Sequence, residues 1–97
     1  MTKIKDELFK LLTKIPKGKV TTYKSLAEKL KTSPRAVGRM LNTNTKLVII
    51  PCHRVINNNG LIGGYKNGAP KKKALLRKEG VIFDKHLVSK NCIYKFL

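Results

Sequence analysis

Several stretches of the chain place apolar residues three or four positions apart, the spacing of a helix with one buried face. The first such stretch contains Ile4, Leu8, Leu11, Leu12 and Ile15. It is expected to end at Pro16, because proline removes a helical hydrogen bond and clashes with the preceding turn. Lys17–Lys19 then turns the chain into a short extended piece, Val20–Thr21. A second helix is predicted after Thr22, ending at Lys31–Thr32.

A third helical stretch begins with strong start signals. Ser33 suits the N-cap position, and Pro34 suits the first helical position, where no N–H donor is required. Two short helices joined by a tight turn predict either a helix-turn-helix or an ordinary αα-hairpin. Spacing alone leaves these two alternatives about even.

The second half of the chain is predicted to contain loops and short strands around one further helix. Leu47–Ile50 form a buried apolar run, and the asparagines before Gly60 predict a turn, since Asn and Gly tolerate positive φ. The fourth helix begins at Pro70 and is closed by a glycine. The tail, 81–97, alternates enough to predict a hairpin or strand. We therefore expect one domain of mainly α, α+β class, with a core over about 4–80 and a C-terminal extension.

Charge narrows the choice of partner. The chain has 22 Lys and Arg against 5 Asp and Glu, a formal net charge of +17. Like charge destabilises a compact state, and a polyanion relieves it, so nucleic acid is the leading partner. An acidic membrane surface comes second, and a lysine-rich surface that is simply well solvated is the alternative. This charge tips the helix pair toward a DNA-binding helix-turn-helix.

Charged residues also argue against a membrane or secretory segment. Lys or Arg interrupts every apolar run, so we expect no membrane-spanning segment and no membrane partner. The N-terminus lacks the uninterrupted apolar stretch of a signal peptide. The expected location is cytoplasmic, at the nucleoid through DNA binding.

One of the two cysteines stands in an unusual setting, between Pro51 and His53. A thiolate, not a thiol, attacks carbon, so a nucleophilic Cys52 needs a base or a positive field, which His53 and Arg54 are placed to supply. By spacing alone, a buried structural cysteine is the commoner case. No metal is expected, because the candidate ligands lack the paired spacing of a zinc site. These are Cys52, His53, His86 and Cys92.

Several ordered segments resemble the O6-alkylguanine-DNA alkyltransferases over roughly Ile4 to Gly80. They are VTTYKSLA, TSPRAVG, an asparagine (Asn44) eight positions before the cysteine, IPCHRV, NGLIGGY and ALLRKEG. The resemblance implies a winged helix-turn-helix that flips an alkylated guanine out of duplex DNA into a pocket. It also implies a monomer that needs no cofactor and accepts one alkyl group permanently.

The resemblance further implies roles for single residues. Cys52 accepts the alkyl group, His53 takes its proton through a water, and Glu79 orients the imidazole. Tyr23 donates to the flipped base, and Asn44 braces the turn that carries the cysteine.

The expected DNA and pocket contacts come from the same resemblance. The DNA-contacting set is Tyr23, Ser33, Arg35, Ala36, Gly38, Arg39 and Arg54, with Arg35 filling the space that the base leaves. The pocket set is Val55, Gly63, Gly64, Tyr65 and Lys66. Lys71–Lys73 are interpreted as a solvated face or a nonspecific DNA contact.

Three functions remain as hypotheses. The first is stoichiometric repair of O6-alkylguanine in double-stranded DNA. The second is lesion binding without repair, as in the alkyltransferase-like proteins, which commonly have tryptophan at the cysteine position. The third is a winged-helix regulator with no lesion preference. Family members usually carry a further N-terminal domain, but the presence of Cys52 favours the first hypothesis.

Overall fold

A computed structural model describes residues 2–44, 50–64, 68–94 and 96 and shows a small α+β domain, as predicted. Its helices are α1 (Thr2–Thr13), α2 (Tyr23–Leu30), α3 (Pro34–Leu41) and α4 (Ala69–Lys78). Its strands are β1 (Thr21–Thr22), β2 (Val55–Ile56), β3 (Phe83–Asp84) and β4 (Leu87–Val88). Single 3₁₀ turns lie at Cys52–Arg54 and Lys90–Cys92.

The helix-turn-helix forms from local signals in the sequence. Thr22 caps α2 by accepting a hydrogen bond from the Ser25 amide at 3.0 Å. Ser33 caps α3 in the same way through the Ala36 amide at 3.1 Å. Between the helices, Lys31 takes a left-handed conformation (φ 58°), and its amide closes the last turn of α2. The predicted cap at Ser33 and the two helices are therefore confirmed.

A short parallel strand pair links the helix-turn-helix to the cysteine segment. Thr21 pairs with Val55, and Thr22 pairs with Ile56. Because α2 begins directly after β1, this pairing brings Tyr23 beside the chain that follows Cys52. The pairing is the main contribution of the fold to the site.

The tail forms the predicted hairpin and then returns to the domain. β3 and β4 pair antiparallel, with Phe83 opposite Val88. After the hairpin, the Val20 amide donates to the Cys92 carbonyl at 2.8 Å, and Val20 accepts from the Tyr94 amide at 2.6 Å. The hairpin is the wing of the domain, and the segment 92–94 lies against Val20, just before β1.

Two apolar clusters form the core. The first holds Leu8, Leu12, Ile15, Leu26, Ala27, Val37, Met40, Leu41, Cys52 and Val55. The second holds Val20, Ile56, Leu76, Val81, Val88 and Cys92. Since Val55 and Ile56 belong to different clusters, β2 lies where the two meet, immediately after the 3₁₀ turn.

Of the predicted apolar run Leu47–Ile50, only Ile50 lies within the described residues, and it packs half-buried against the first cluster. Within the described ranges, no helix has the length and apolar character needed to cross a bilayer.

Candidate active site

Cys52 sits on a turn that is fixed through one carbonyl group. The Ile50 carbonyl accepts from the Cys52 amide at 2.8 Å and from the Asn44 side-chain amide at 2.9 Å. Both donors are buried, and Cys52 is 6% exposed. Asn44 therefore ties the end of the helix-turn-helix to the start of the cysteine turn, which limits how the sulfur can be displaced.

His53 and Arg54 meet the same carboxylate, although 25 residues or more separate them from it in sequence. His53 Nε2 lies 3.0 Å from Glu79 Oε1. Arg54 donates from Nε to Oε1 at 2.9 Å and from Nη2 to Oε2 at 2.6 Å. Glu79 is the C-cap of α4, so the end of this helix delivers the carboxylate to the cysteine turn.

The two side chains set the charge state of the carboxylate. Burial by itself would raise the pKa of Glu79, but the hydrogen bonds and positive charges of Arg54 and His53 outweigh burial and lower it. Glu79 is therefore ionised at neutral pH. Burial lowers the pKa of His53, with help from the charges of Arg54 and Lys72, while Glu79 pulls in the opposite direction. The net result favours a neutral imidazole, the form that accepts a proton.

Lys72 is the site residue that the sequence interpretation missed. It is fully buried, and its ammonium donates to the Val55 carbonyl at 2.6 Å and to the Gly64 carbonyl at 3.0 Å. Burial lowers the pKa of Lys72 to about 8, against the opposing effect of the negative charge that Cys52 carries when ionised. The interpretation of Lys72 as part of a solvated face was therefore wrong. One signal was present, because Lys72 stands four residues before Leu76, on the buried stripe of α4.

Tyr23 lies at the first position of α2, close to both the sulfur and the buried amine. The Lys72 ammonium lies 5.9 Å from the centre of the Tyr23 ring. Burial, and then the negative charge of an ionised Cys52, raise the pKa of Tyr23. The phenol therefore stays protonated at neutral pH and can donate a hydrogen bond.

A groove of about 710 Å³ opens above these residues, between α3 and the loop after β2. Its lining includes Tyr23, Arg35, Gly38, Asn57 and Gly64. A Cβ atom added at Gly38 would meet nothing within 4 Å, so this side of α3 faces open space. Cys52 does not line the groove, but Tyr23, which is close to Cys52, does.

The structure brings some expected DNA contacts to this groove and leaves others away from it. Arg35 and Gly38 line it, whereas the exposed Arg39 does not. Ala36 packs half-buried against the first core cluster, and Ser33 caps α3 at an exposed position.

Arg54 lies in the interior rather than on the surface that a DNA contact requires. It is 8% exposed, and its third nitrogen, Nη1, donates to the Ile15 carbonyl at 2.6 Å. A guanidinium held by three interior contacts is not available to a phosphate. This burial argues against the expected DNA contact of Arg54, whose partners in the structure are Glu79 and Ile15, just after α1.

The pocket residues predicted from the sequence divide into three groups. Gly64 lines the groove, and the carbonyls of Gly64 and Val55 accept from Lys72. Gly63 adopts φ 73°, and an added Cβ would approach the Asn57 side chain to 3.0 Å. Tyr65 and Lys66 lie outside the described residues. Asn57–Asn59, predicted only as a turn, also line the groove, a role that turn chemistry gave no reason to expect.

Within the described part of the chain, no three His, Cys, Asp or Glu side chains gather in a way that could hold a metal ion.

Comparison with known proteins identifies the family of the chain. Residues 3–81 match the family model described as the DNA-binding domain of 6-O-methylguanine DNA methyltransferase. A methylated-DNA–protein-cysteine methyltransferase of Saccharolobus solfataricus is 61% identical over 74 residues, which are 76% of this chain and 48% of that protein. The chain thus spans about half the length of the curated relatives it matches.

Solved structures give the same picture. The O6-methylguanine-DNA methyltransferase of Pyrococcus kodakaraensis aligns with a TM-score of 0.74 at 45% identity, over 79% of this chain and 46% of that one. S. pombe Atl1, in complex with damaged DNA containing O6-carboxymethylguanine, aligns with a TM-score of 0.79 at 27% identity, over 98% and 97%. The chain belongs to the 6-O-methylguanine DNA methyltransferase family, whose DNA-binding domain it carries.

Proposed function

We propose that this chain repairs duplex DNA directly, by transferring an alkyl group from O6 of guanine to Cys52. The observation that carries the proposal is the set of groups gathered at the cysteine turn. The buried His53 is paired with Glu79, and the buried ammonium of Lys72 lies near the half-buried ring of Tyr23. A DNA binder without chemistry has no use for a buried amine and a buried imidazole–carboxylate pair beside a thiol.

The reaction is a displacement at an sp³ carbon. The sulfur of Cys52 attacks the alkyl carbon, a C–S bond forms, and the bond from that carbon to O6 breaks. The thiol proton passes to His53, whose Nε2 faces Glu79, so that Nδ1 is the nitrogen that accepts it. The electron pair of the broken bond goes to the guanine, which leaves as an anion. It becomes the restored base by taking up one proton, which balances the proton that the thiol gave to His53. The protein keeps a thioether and cannot react again.

Tyr23 and Lys72 also support this step. The protonated phenol donates a hydrogen bond to the flipped base, which becomes more basic as the alkyl carbon departs. The ammonium of Lys72 favours a negative charge on the sulfur and holds the loop at Gly64 against β2. The reaction needs no oxyanion hole, because displacement at an sp³ carbon forms no tetrahedral intermediate.

The groove supports extrusion of the base from the duplex. A guanine stacked inside DNA cannot meet the sulfur in line, so the nucleotide must leave the stack. Arg35 lies on the groove at the start of α3, where its side chain can occupy the vacated space. Because Cys52 is 6% exposed and does not line the groove, the purine must pass through the groove and move in past its lining to reach the sulfur.

A second candidate function is binding of the lesion without repair. The likeness to Atl1 over nearly the full length of both chains favours it. In this case Arg35, Tyr23 and the groove would act alone, and Cys52 would stay unmodified.

A single-turnover assay separates the candidates. The chain is mixed in excess with a duplex containing one O6-methylguanine, and the nucleosides of the DNA are analysed over time. Repair predicts that guanine replaces O6-methylguanine with the wild-type chain and that Cys52→Ser binds the duplex but leaves the lesion. Persistence of O6-methylguanine with the wild type, with preferred binding of the damaged duplex, would establish lesion binding instead. Equal binding of damaged and undamaged duplexes without loss of the methyl group would leave only a general DNA binder.

A further inference from the structure

Arg54 occupies a position that neither DNA binding nor ordinary packing explains. A side chain of this length could lie on the surface, yet only 10% of it is exposed. Its guanidinium bridges two fixed points, the carboxylate of Glu79 at the end of α4 and the Ile15 carbonyl just after α1. Burying a charged group in this way is unfavourable unless all its partners are supplied.

The contact with Glu79 has the geometry that fixes orientation. Two parallel N–H donors of a planar guanidinium bind both oxygens of the carboxylate, at 2.9 and 2.6 Å. Glu79 Oε1, the oxygen that accepts from Arg54 Nε, is also the one 3.0 Å from His53 Nε2. Rotation of the carboxylate away from the imidazole would therefore break the arginine contacts as well.

Arg54 also opposes the effect of the carboxylate on the imidazole. Among the described residues, the charges that act on the pKa of His53 are those of Glu79, at the end of α4, Lys72, on α4, and Arg54, on the same turn as His53. A carboxylate alone would favour the imidazolium, which has no lone pair for the thiol proton. Burial lowers the pKa of His53, and the positive charges of Arg54 and Lys72 act in the same direction.

We infer that Arg54 is a positioning residue for the alkyl transfer, which holds Glu79 ionised and aimed at His53 while keeping the imidazole neutral. The inference rests on the proposed function and extends it, since Arg54 contacts neither DNA nor the alkyl group. Arg54 is therefore expected to affect the rate of alkyl transfer and not the affinity for DNA.

The first test measures the single-turnover rate against pH with the O6-methylguanine duplex. We expect Arg54→Met to slow transfer on the order of 10²-fold at neutral pH, because the carboxylate loses its orientation. Its acid limb should move to higher pH, since loss of the cation raises the pKa of both His53 and Glu79. Arg54→Lys keeps the positive charge but loses the two parallel N–H donors of the guanidinium. It should therefore be faster than Arg54→Met but slower than the wild type, and its acid limb should lie at the wild-type pH. The Kd for the duplex should stay unchanged, and a loss of affinity equal to the loss of rate would overturn the inference.

A double-mutant cycle distinguishes an action through Glu79 from a structural role at Ile15. In a Glu79→Gln background, either Arg54 substitution should slow transfer little further. An equal further loss in both backgrounds would mean that Arg54 does not act through Glu79. Should Arg54→Met fail to fold in a thermal unfolding scan, the same comparison is made with Arg54→Lys.

A third measurement does not depend on transfer. The chain has two histidines, so NMR of the wild type and His86→Asn assigns the imidazole of His53. Its titration midpoint should lie below 6.5 in the wild type and rise in Arg54→Met. An unchanged midpoint would overturn the inference, whatever the activity. A raised midpoint in a protein whose wild type transfers nothing would instead overturn the proposed function and leave the charge arrangement standing.

Discussion

At the scale of single residues, the most informative feature is a lysine buried where the helix pattern calls for an apolar side chain. Lys72 is fully buried and binds two backbone carbonyls, those of Val55 and Gly64. Burial of an ammonium is unfavourable, and this is why the pKa of Lys72 falls from the ordinary 10.5 to about 8. Because burial of the Lys72 ammonium near Cys52 lowers stability, we expect this charge to serve the reaction.

The unfavourable burial of Lys72 should make the free energy of unfolding depend on pH. Below about pH 8 Lys72 is protonated in both states, and its burial opposes folding in full. Between about 8 and 10.5 the unfolded chain holds the proton and the folded chain does not, so the free energy of unfolding rises with pH. The rise is about 3 kcal/mol at most, from the conversion of a pKa difference into free energy.

Lys72→Met should abolish this rise and slow methyl transfer, because it removes the ammonium beside the sulfur and releases the loop at Gly64. Denaturant unfolding at pH 7.5 and 10, for the wild type, Lys72→Met and the neighbouring control Lys73→Met, measures the first effect. The same three proteins in the single-turnover assay measure the second. Identical pH dependence of stability in the wild type and Lys72→Met would show that the amine is not buried as described.

At the scale of elements, α3 has one face buried in the core and another that lines the groove. Val37, Met40 and Leu41 are buried against the rest of the helix-turn-helix, whereas Arg35 and Gly38 line the groove. Glycine inside a helix is less favourable than alanine, so its presence here indicates that a surface must approach closely.

Gly38→Ala should therefore raise stability and weaken DNA binding. The added methyl group meets nothing within 4 Å in the free protein, and alanine is favoured over glycine in a helix by about 0.5–1 kcal/mol. The same methyl group would separate α3 from a bound duplex. Thermal unfolding and fluorescence polarisation with a labelled duplex measure the two effects. A more stable variant with undiminished affinity would mean that this side of α3 does not contact DNA.

Arg35 and Arg39 offer a matched pair on the same helix, both exposed and of equal charge. Arg35 lines the groove and Arg39 does not. We expect Arg35→Ala to reduce the preference for a duplex containing O6-methylguanine over an undamaged one. Arg39→Ala should weaken binding to both duplexes alike. If both variants keep the full preference, Arg35 does not fill the space left by the base.

The elements were largely predictable, whereas the partners of buried charges were not. Local signals placed the start of α3 correctly and α4 within one residue, because caps, prolines and glycines act within a few positions. The order of motifs singled out Cys52, His53 and Glu79. The places of Arg54 and Lys72 depend on contacts 25 and 17 residues away in sequence. Apart from the helical spacing of Lys72 from Leu76, nothing in the neighbouring residues distinguishes a buried cation from a solvated one.

At the scale of the whole molecule, the charge of +17 is far larger than the groove alone requires. Exposed lysines lie on α1, α2, α4 and the wing as well as beside the groove. Such a field attracts DNA at any sequence and leaves recognition to the groove.

Binding to undamaged duplex DNA should therefore weaken steeply with salt. For each phosphate neutralised, log Kd should increase by about 0.9 for each unit of log salt concentration. Titrations at several salt concentrations give the slope, and Arg39→Ala should lower it by about one phosphate if Arg39 lies on the backbone. A flat response would mean that the positive charge does not serve DNA binding.

The central claim is that the sulfur of Cys52 ends the reaction carrying the alkyl group. Incubation with a duplex containing O6-methylguanine, followed by intact mass spectrometry and peptide mapping, tests this directly. The chain has a second buried cysteine, Cys92, which serves as an internal control in the same digest. The account predicts one methyl group per chain, located on Cys52 and absent from Cys92. An unmodified chain that nevertheless binds the damaged duplex, or a methyl group on any other residue, would contradict it.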